Sequence, residues 1–528
     1  MSEKTTVNHS ETNNELDVQI DTEIERDDGA VQLTIDVNAK GDGSVSNFKL
    51  AKDGCTILIP QPSDDPADPM NWTSFKKHYI LLCVAFGAFA GDFGASVGFP
   101  PIVLQGTEWN MSPVKVNYAN NLTVIMAGIS GILWMPLLNC WGRMPVFFWT
   151  TFLGFLFSLG ATLSPNFTIF YGLRALQSVF QTTGQTAGLV FVEDMFFFHE
   201  QARKIGILYC IFISSPFFGP CLGNFIIAGL GQWRACFWLI TAWSAALLVM
   251  ILLYGDETYY DRMRPVEQPH RGSGHLDRLL RITGVWQIQN HAGYFPHVLS
   301  SYRRLLEVFL KPIMPMAMLF YSMVFMWSIG INVSSPILLQ TPTSAGGYGF
   351  SANAVGLIYF SPIVAVFAGE AFGHFFNDYL ADRYTRQHHG VFVIETRLWT
   401  NYIAIILMIP GLVLVGETLQ NHLHWVGIVF GWGMFQFGVM LVSVATVAYV
   451  LNCYPRASGE VSALINFGRV ATGFSVGYFQ QEWGFKQGFS ISFGLQAVII
   501  VCAYILLICL QVFGGRLRHW AGPVSVII

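Results

Sequence analysis

Apolar runs about as long as a membrane is thick recur twelve times along this chain of 528 residues. A helix of ~20 residues crosses a ~30 Å hydrocarbon layer, which is the length seen here. The runs fall near 78–100, 117–138, 145–164, 168–192, 204–229 and 234–254, and then near 313–338, 352–377, 398–416, 424–450, 458–481 and 487–513. Only 12% of the residues are charged and 53% are hydrophobic, against about 25% charged in an ordinary soluble protein. That deficit excludes a soluble enzyme. The reading is an all-α membrane protein with twelve transmembrane helices.

The runs come as two groups of six around a polar stretch, 255–311, which holds eight Arg and Lys residues. Such a layout suggests an internal duplication, a common architecture of secondary transporters. Five segments are expected: an acidic, largely disordered tail (1–75), a first six-helix bundle (76–254), a central loop (255–311), a second bundle (312–515) and a short C-terminal tail (516–528). The tail carries 15 acidic and 5 basic side chains and has too little apolar surface to fold. It shows no leader pattern of a basic stretch followed by an apolar one. The nine cysteines lie mostly inside apolar runs and imply neither a disulfide framework nor a metal site.

Orientation follows from the short loops. With a cytosolic N-terminus, Arg143, Arg203, Lys204, Arg383, Arg386, Arg397 and Arg456 lie inside, and only Lys115, Arg234 and Lys486 lie outside. Basic residues favour the cytosolic side, so both termini are expected there. The stretch 302–311 reads as an amphipathic helix on the inner leaflet. His388-His389, in an inner loop, reads as a solvated pair.

Charges within spans cost at least ~2.5–3.5 kcal/mol each and demand a reason. Asp92 in span 1, Arg174 in span 4, Glu370 in span 8 and Arg469 in span 11 are such charges. A carboxylate in a low-dielectric cavity can exchange a proton near neutral pH, so Asp92 and Glu370 are the candidates for proton coupling. Arg174, Gln177 and Gln181 share one face of span 4 and suggest a binding wall, with an Arg174–Asp92 pair as the structural alternative. Together with Asp92, Tyr321, Asn332 and Gln436 they are the expected lining of a substrate cavity. Trp327 and Trp432 read as packing. Span 5 holds Pro216, Gly219, Pro220 and Gly223, which permit a bend and close helix approach.

Three segments carry a family resemblance. Met135–Val146, with Asn139, Gly142 and Arg143, resembles the loop 2–3 signature of the major facilitator superfamily. The Arg174-x-x-Gln177 pattern resembles its span 4 signature, and Gly219-Pro220-x-x-Gly223 resembles its span 5 antiporter signature. The segments 64–72, 256–262 and 454–460 look like those of its fungal drug:proton antiporter-like branch, and the match covers roughly 60–515. That branch includes exporters from toxin and secondary-metabolite clusters and a yeast transporter of polyamines. The chain departs from the pattern at Asn139, where the family has Asp, at Cys140, where it has Arg, and at Ser178, where it has Gly. The second-half loop keeps Asp378, Asp382 and Arg383, so its gate is expected to hold more of the charge.

The resemblance implies two six-helix bundles around a central cavity, rocking between inward- and outward-open states. With no phosphate-binding Gly-x-x-x-x-Gly-Lys-Ser/Thr loop, an ion gradient must drive the cycle, and the resemblance implies protons. The first reading is a proton-coupled exporter of a drug, toxin or secondary metabolite. The second is an importer of polyamines or other organic cations. A third, of another class, is a transporter-fold nutrient sensor. No enzyme, cofactor, metal or nucleic-acid role is expected. The partners are a small-molecule substrate, protons and the lipid bilayer, for a monomer in the plasma membrane.

Overall fold

A computed structural model describes residues 49, 58, 60–262, 271–272, 274–291, 294–343, 347–388 and 393–524. Residues 63–528 form one compact unit. The first half runs α1 (Ser74–Ser96), α2 (Ile102–Trp109), α3 (Pro113–Trp141), α4 (Arg143–Thr162), α5 (Phe167–Gln181), α6 (Thr183–Met195), α7 (Phe198–Leu230) and α8 (Trp233–Tyr254). The central loop folds as α9 (His275–Thr283), α10 (Val285–Gln289) and α11 (Val298–Leu310). The second half holds α12 (Ile313–Gln340), α13 (Ala352–Ile358), α14 (Phe360–Gln387), α15 (Thr400–Gln420), α16 (Val426–Cys453), α17 (Ser458–Gln487) and α18 (Phe489–Ala521).

Ten helical segments among the described residues are long and apolar enough to cross a membrane. The two other expected runs differ for physical reasons. The fourth is broken at Thr182 into α5 and α6, and the eleventh, α17, carries Glu460, Arg469, Glu482 and Lys486 along its length. The eighth is also interrupted, at Tyr359, between α13 and α14.

Glycines set how closely these helices meet. A Cβ on Gly184 would lie 2.5 Å from backbone atoms of Gly87 and Ala88, so α6 lies directly on α1. A Cβ on Gly219 would strike Ser96 and come within 2.8 Å of the Val97 nitrogen, so α7 packs as tightly against the end of α1. Gly223 faces Pro100 in the same interface. Pro216 and Pro220 lie inside α7, where Pro removes backbone hydrogen bonds. The expected hinge motif is thus a close-packed seam between α1 and α7. The end bearing the basic loops is called the inner end below.

Candidate functional site

Span 1 brings Asp92 to the middle of the molecule, and α17 brings Arg469 to meet it from the other half. Arg469 Nη2 lies 2.7 Å from Asp92 Oδ2, with 3% and 10% of the two side chains exposed. The guanidinium also contacts Asn466 Oδ1 at 2.9 Å and sits over the rings of Phe212 and Phe325 at 4.5 and 5.1 Å. Asn466 in turn meets Gln185 of α6 at 3.3 Å. A buried ion pair holds only when further hydrogen bonds satisfy it, and these neighbours supply them.

The pair lines a cavity of about 40 Å³, closed in by Phe99, Val124, Phe217, Phe325, Ser328, Asn332 and others. Ligand pockets are roughly 300–1,000 Å³, so this space takes a few waters and no drug-sized molecule. Both ends of the seam between the halves are bonded. At the outer end Gln340 Nε2 donates to Asn224 Oδ1 at 2.8 Å, and at the cavity itself Asn332 Nδ2 donates to the Pro216 carbonyl at 2.9 Å. At the inner end Ser458 Oγ donates to Glu193 at 2.5 Å, and Asn139 Nδ2 donates to Glu460 at 3.2 Å. The conformation is occluded. A wider hollow of about 410 Å³ at the outer end is lined by Glu108, Trp233 and Arg234, but its two charges pair with each other at 2.8 Å.

Arg174 meets a different partner from the one expected. Its guanidinium donates to the Gly94 and Ala95 carbonyls at 2.7 and 2.8 Å and to Gln177 Oε1 at 3.0 Å. Gln177 passes the chain on to Gln181 at 2.9 Å, and Gln181 to Ser244 at 2.7 Å. These three side chains are buried between α5, α1 and α8, and none of them lines the cavity. The binding-wall reading is therefore corrected for this conformation: the stripe caps the free carbonyls of Gly94 and Ala95 in the last turn of α1 and ties that helix end to its neighbours. Tyr321 is also off the cavity, fully buried and donating to Ser443 at 2.9 Å. Asn332 lines the cavity, and Gln436 stands behind it, accepting from Ser328 at 2.7 Å.

Glu370 lies on α14 against α7, its carboxylate 3.0 Å from where a Gly206 Cβ would stand. One oxygen is buried without a hydrogen-bond partner among the described residues. It is not brought together with Asp92 around the cavity.

The inner latch was only partly visible in the motifs. Gly142 adopts φ 88°, and a Cβ there would crowd the Glu257 carboxylate. Glu257 accepts from the Arg143 and Met144 nitrogens at 3.0 and 3.3 Å, capping α4 as acids do at helix N-termini. Burial pushes its carboxyl up, against the pull of those hydrogen bonds. Arg143 pairs with Asp194 at 3.2 Å and donates to Asn139 Oδ1 at 3.0 Å. Glu460 also meets Arg304 of α11 at 3.6 Å, and Tyr302 of α11 donates to the Leu133 carbonyl at 2.8 Å. The amphipathic helix of the central loop is thus a strap across both halves.

The second-half loop does not hold the gate's charge as expected. Asp378 pairs with Arg397 at 3.0 Å within its own half. Arg383 is exposed, with a 3.5 Å contact to Tyr379, and the Asp382 side chain lies outside the described residues. The charge that crosses the seam comes instead from Glu460 and Arg304. Arg304 and Glu193 carried no motif signal, whereas Glu460 closes the quoted 454–460 segment.

Outside the seam a second ion cluster binds the chain before α1 to that after α8. Asp68 pairs with Arg262 at 2.8 Å, and Asp256 with Lys76 and Arg281 at 2.7 and 2.8 Å. Burial alone would raise both carboxyls; for Asp68 the Arg262 contact and backbone donors outweigh it, and for Asp256 Arg281 and Lys76 do. Both sit below the ordinary aspartate value.

Comparison with known proteins places this geometry. The model of the Major Facilitator Superfamily matches residues 81–478. An MFS antiporter of Candida albicans, QDR3, is 23% identical over 88% of this chain and 81% of its own length. The multidrug transporter mdrA of Aspergillus fumigatus is 24% identical over 76% of this chain and 65% of its own. Among solved structures, the proton:xylose symporter XylE aligns with a TM-score of 0.59 at 14% identity, covering 85% of this chain and all of that one.

Proposed function

Because the chain belongs to the major facilitator superfamily, and so is a multi-pass transporter of small molecules, we propose that it exchanges protons for a small organic molecule, exporting it across the plasma membrane. The Asp92–Arg469 pair at the cavity carries this reading. It joins the halves only while Asp92 is ionised. A proton on Asp92 leaves Arg469 buried beside a neutral group, a state that costs several kcal/mol unless the halves separate and water enters. Protonation therefore loosens the closed arrangement, and for exchange the proton stays on Asp92 while the halves reorient and leaves on the opposite face, where Asp92 is ionised again. Substrate binding would be sited in the space that the separating halves open around Asp92. The export direction draws on the span 5 signature and on a relative named as an antiporter.

The test is proton movement in proteoliposomes with a pH-sensitive dye inside. Wild type should move protons against the flow of its substrate. Asp92→Asn should lose the dependence on the proton gradient and keep, at most, downhill exchange. Undiminished gradient-driven transport by that variant would remove Asp92 from the mechanism.

A further inference from the structure

Away from the Asp92 cavity, the inner ends of α1 and α7 hold a group of cations that no acid answers. Lys204 Nζ donates to His78 Nε2 at 2.8 Å and lies 5.3 Å from the centre of the Phe196 ring. A lysine can only donate, so Nε2 accepts and the ring hydrogen sits on Nδ1, which donates to the Ser74 carbonyl at 2.8 Å. Lys77 donates to the Met70 carbonyl at 2.8 Å and lies 5.9 Å from the same Phe196 ring. Arg203, next to Lys204, is exposed. Among the described residues none of these three cations is in an ion pair; Glu200 and Asp68 act on Lys77 only through space.

The helix itself gives these charges no reason. A helix N-terminus favours acids and a C-terminus cations. Glu200 in the first turn of α7 suits that rule, whereas Arg203 and Lys204 in the second turn oppose it. The surface around them is ordered by depth. On α1 the exposed Phe75, His78 and Leu82 share one face, three and four residues apart. On α7 the exposed Ile207 follows Lys204 by three. Both helices run outward from the inner end, so Leu82 and Ile207 lie about 5 Å deeper in the membrane than His78 and Lys204. Cations at the rim with apolar side chains below them match a phospholipid, whose phosphate stands above its acyl chains.

We infer that the groove between α1 and α7 holds an anionic phospholipid of the inner leaflet, with its phosphate on Lys204 and its chains along Leu82 and Ile207. The Lys204 ammonium keeps two hydrogens after the one given to His78, and Arg203 adds positive charge beside it. A soluble phosphate meets the same cations but makes no use of the apolar strips. The contact between Lys204 and His78 joins the two helices, so the lipid bridges α1 and α7 at their inner ends.

The test is native mass spectrometry of the full chain, with dioleoyl-phosphatidylglycerol, dioleoyl-phosphatidylcholine and glycerol 3-phosphate as probes. A basic residue beside an anionic headgroup is worth about fivefold in affinity, so wild type should hold one phosphatidylglycerol at least about fivefold more tightly than phosphatidylcholine. Lys204→Gln should lose that preference with an unchanged melting temperature. Arg516→Gln, which removes an exposed inner cation elsewhere, should keep it. Ile207→Asn should weaken both lipids together. Equal binding of the two lipids by wild type, a preference that survives in Lys204→Gln, or displacement of phosphatidylglycerol by glycerol 3-phosphate would each overturn the inference. Neither cargo nor a gradient is present, so a failure of the proposed proton exchange leaves this result unaffected.

Discussion

Two buried arginines in this molecule do opposite kinds of work. Arg174 meets backbone carbonyls of its own half, whereas Arg469 meets a carboxylate of the other half. Replacing Arg174 by Met should therefore leave two carbonyls of α1 unpaired and lower thermal stability by about 2–3 kcal/mol, with proton dependence of any remaining transport intact. Thermal unfolding alongside the proteoliposome assay checks both halves of that statement. The charges themselves were legible as costly residues in apolar runs. Their partners were not, because Asp92 and Arg469 are 377 positions apart and one chain carries no signal of that pairing.

Elements turn those contacts into a gate. The family carboxylate missing at Asn139 is supplied across the seam by Glu460, with Arg304 of α11 beside it. Restoring the family residue with Asn139→Asp should weaken the latch, since Asp cannot donate and would face Glu460 across about the same distance. We expect the balance to move toward the inward-open state by about 1–2 kcal/mol, read as faster thiol labelling of a cysteine placed at Val190, which lies in the closed inner seam; slower labelling would refute it. Gly219→Ala should strike Ser96 and the Val97 backbone and cost about 1–3 kcal/mol through overpacking, seen as a lower melting temperature. The Asp68 and Asp256 clusters add a pH dependence of known sign. Their folded values lie below the ordinary 3.8, so their stabilisation is complete above that pH and is lost as the pH falls through the lower, folded values. Thermal melts should show a steeper acid loss in wild type than in Arg262→Gln. Helix positions could be read from the runs because bilayer thickness fixes their length. The strap was legible as an amphipathic helix at 302–311 but its place across the seam was not, and the breaks at Thr182 and Tyr359 depend on packing between segments and left no periodic trace.

At the scale of the whole molecule, the two halves close on a space of about 40 Å³ with bonds at both ends of the seam. Cargo can enter only when one end parts, and in the proposed cycle the pair at the centre makes parting sensitive to a proton. The most direct measurement is the distance between spin labels at Arg203 and Arg456, on the inner ends of the two halves, as the pH is lowered in nanodiscs. The exposed Cys502 would first be replaced. Wild type should shift from a short to a long distance with acidification. Asp92→Asn should hold one distribution, that of the acid form, at every pH. A variant that follows the wild-type curve would contradict the account.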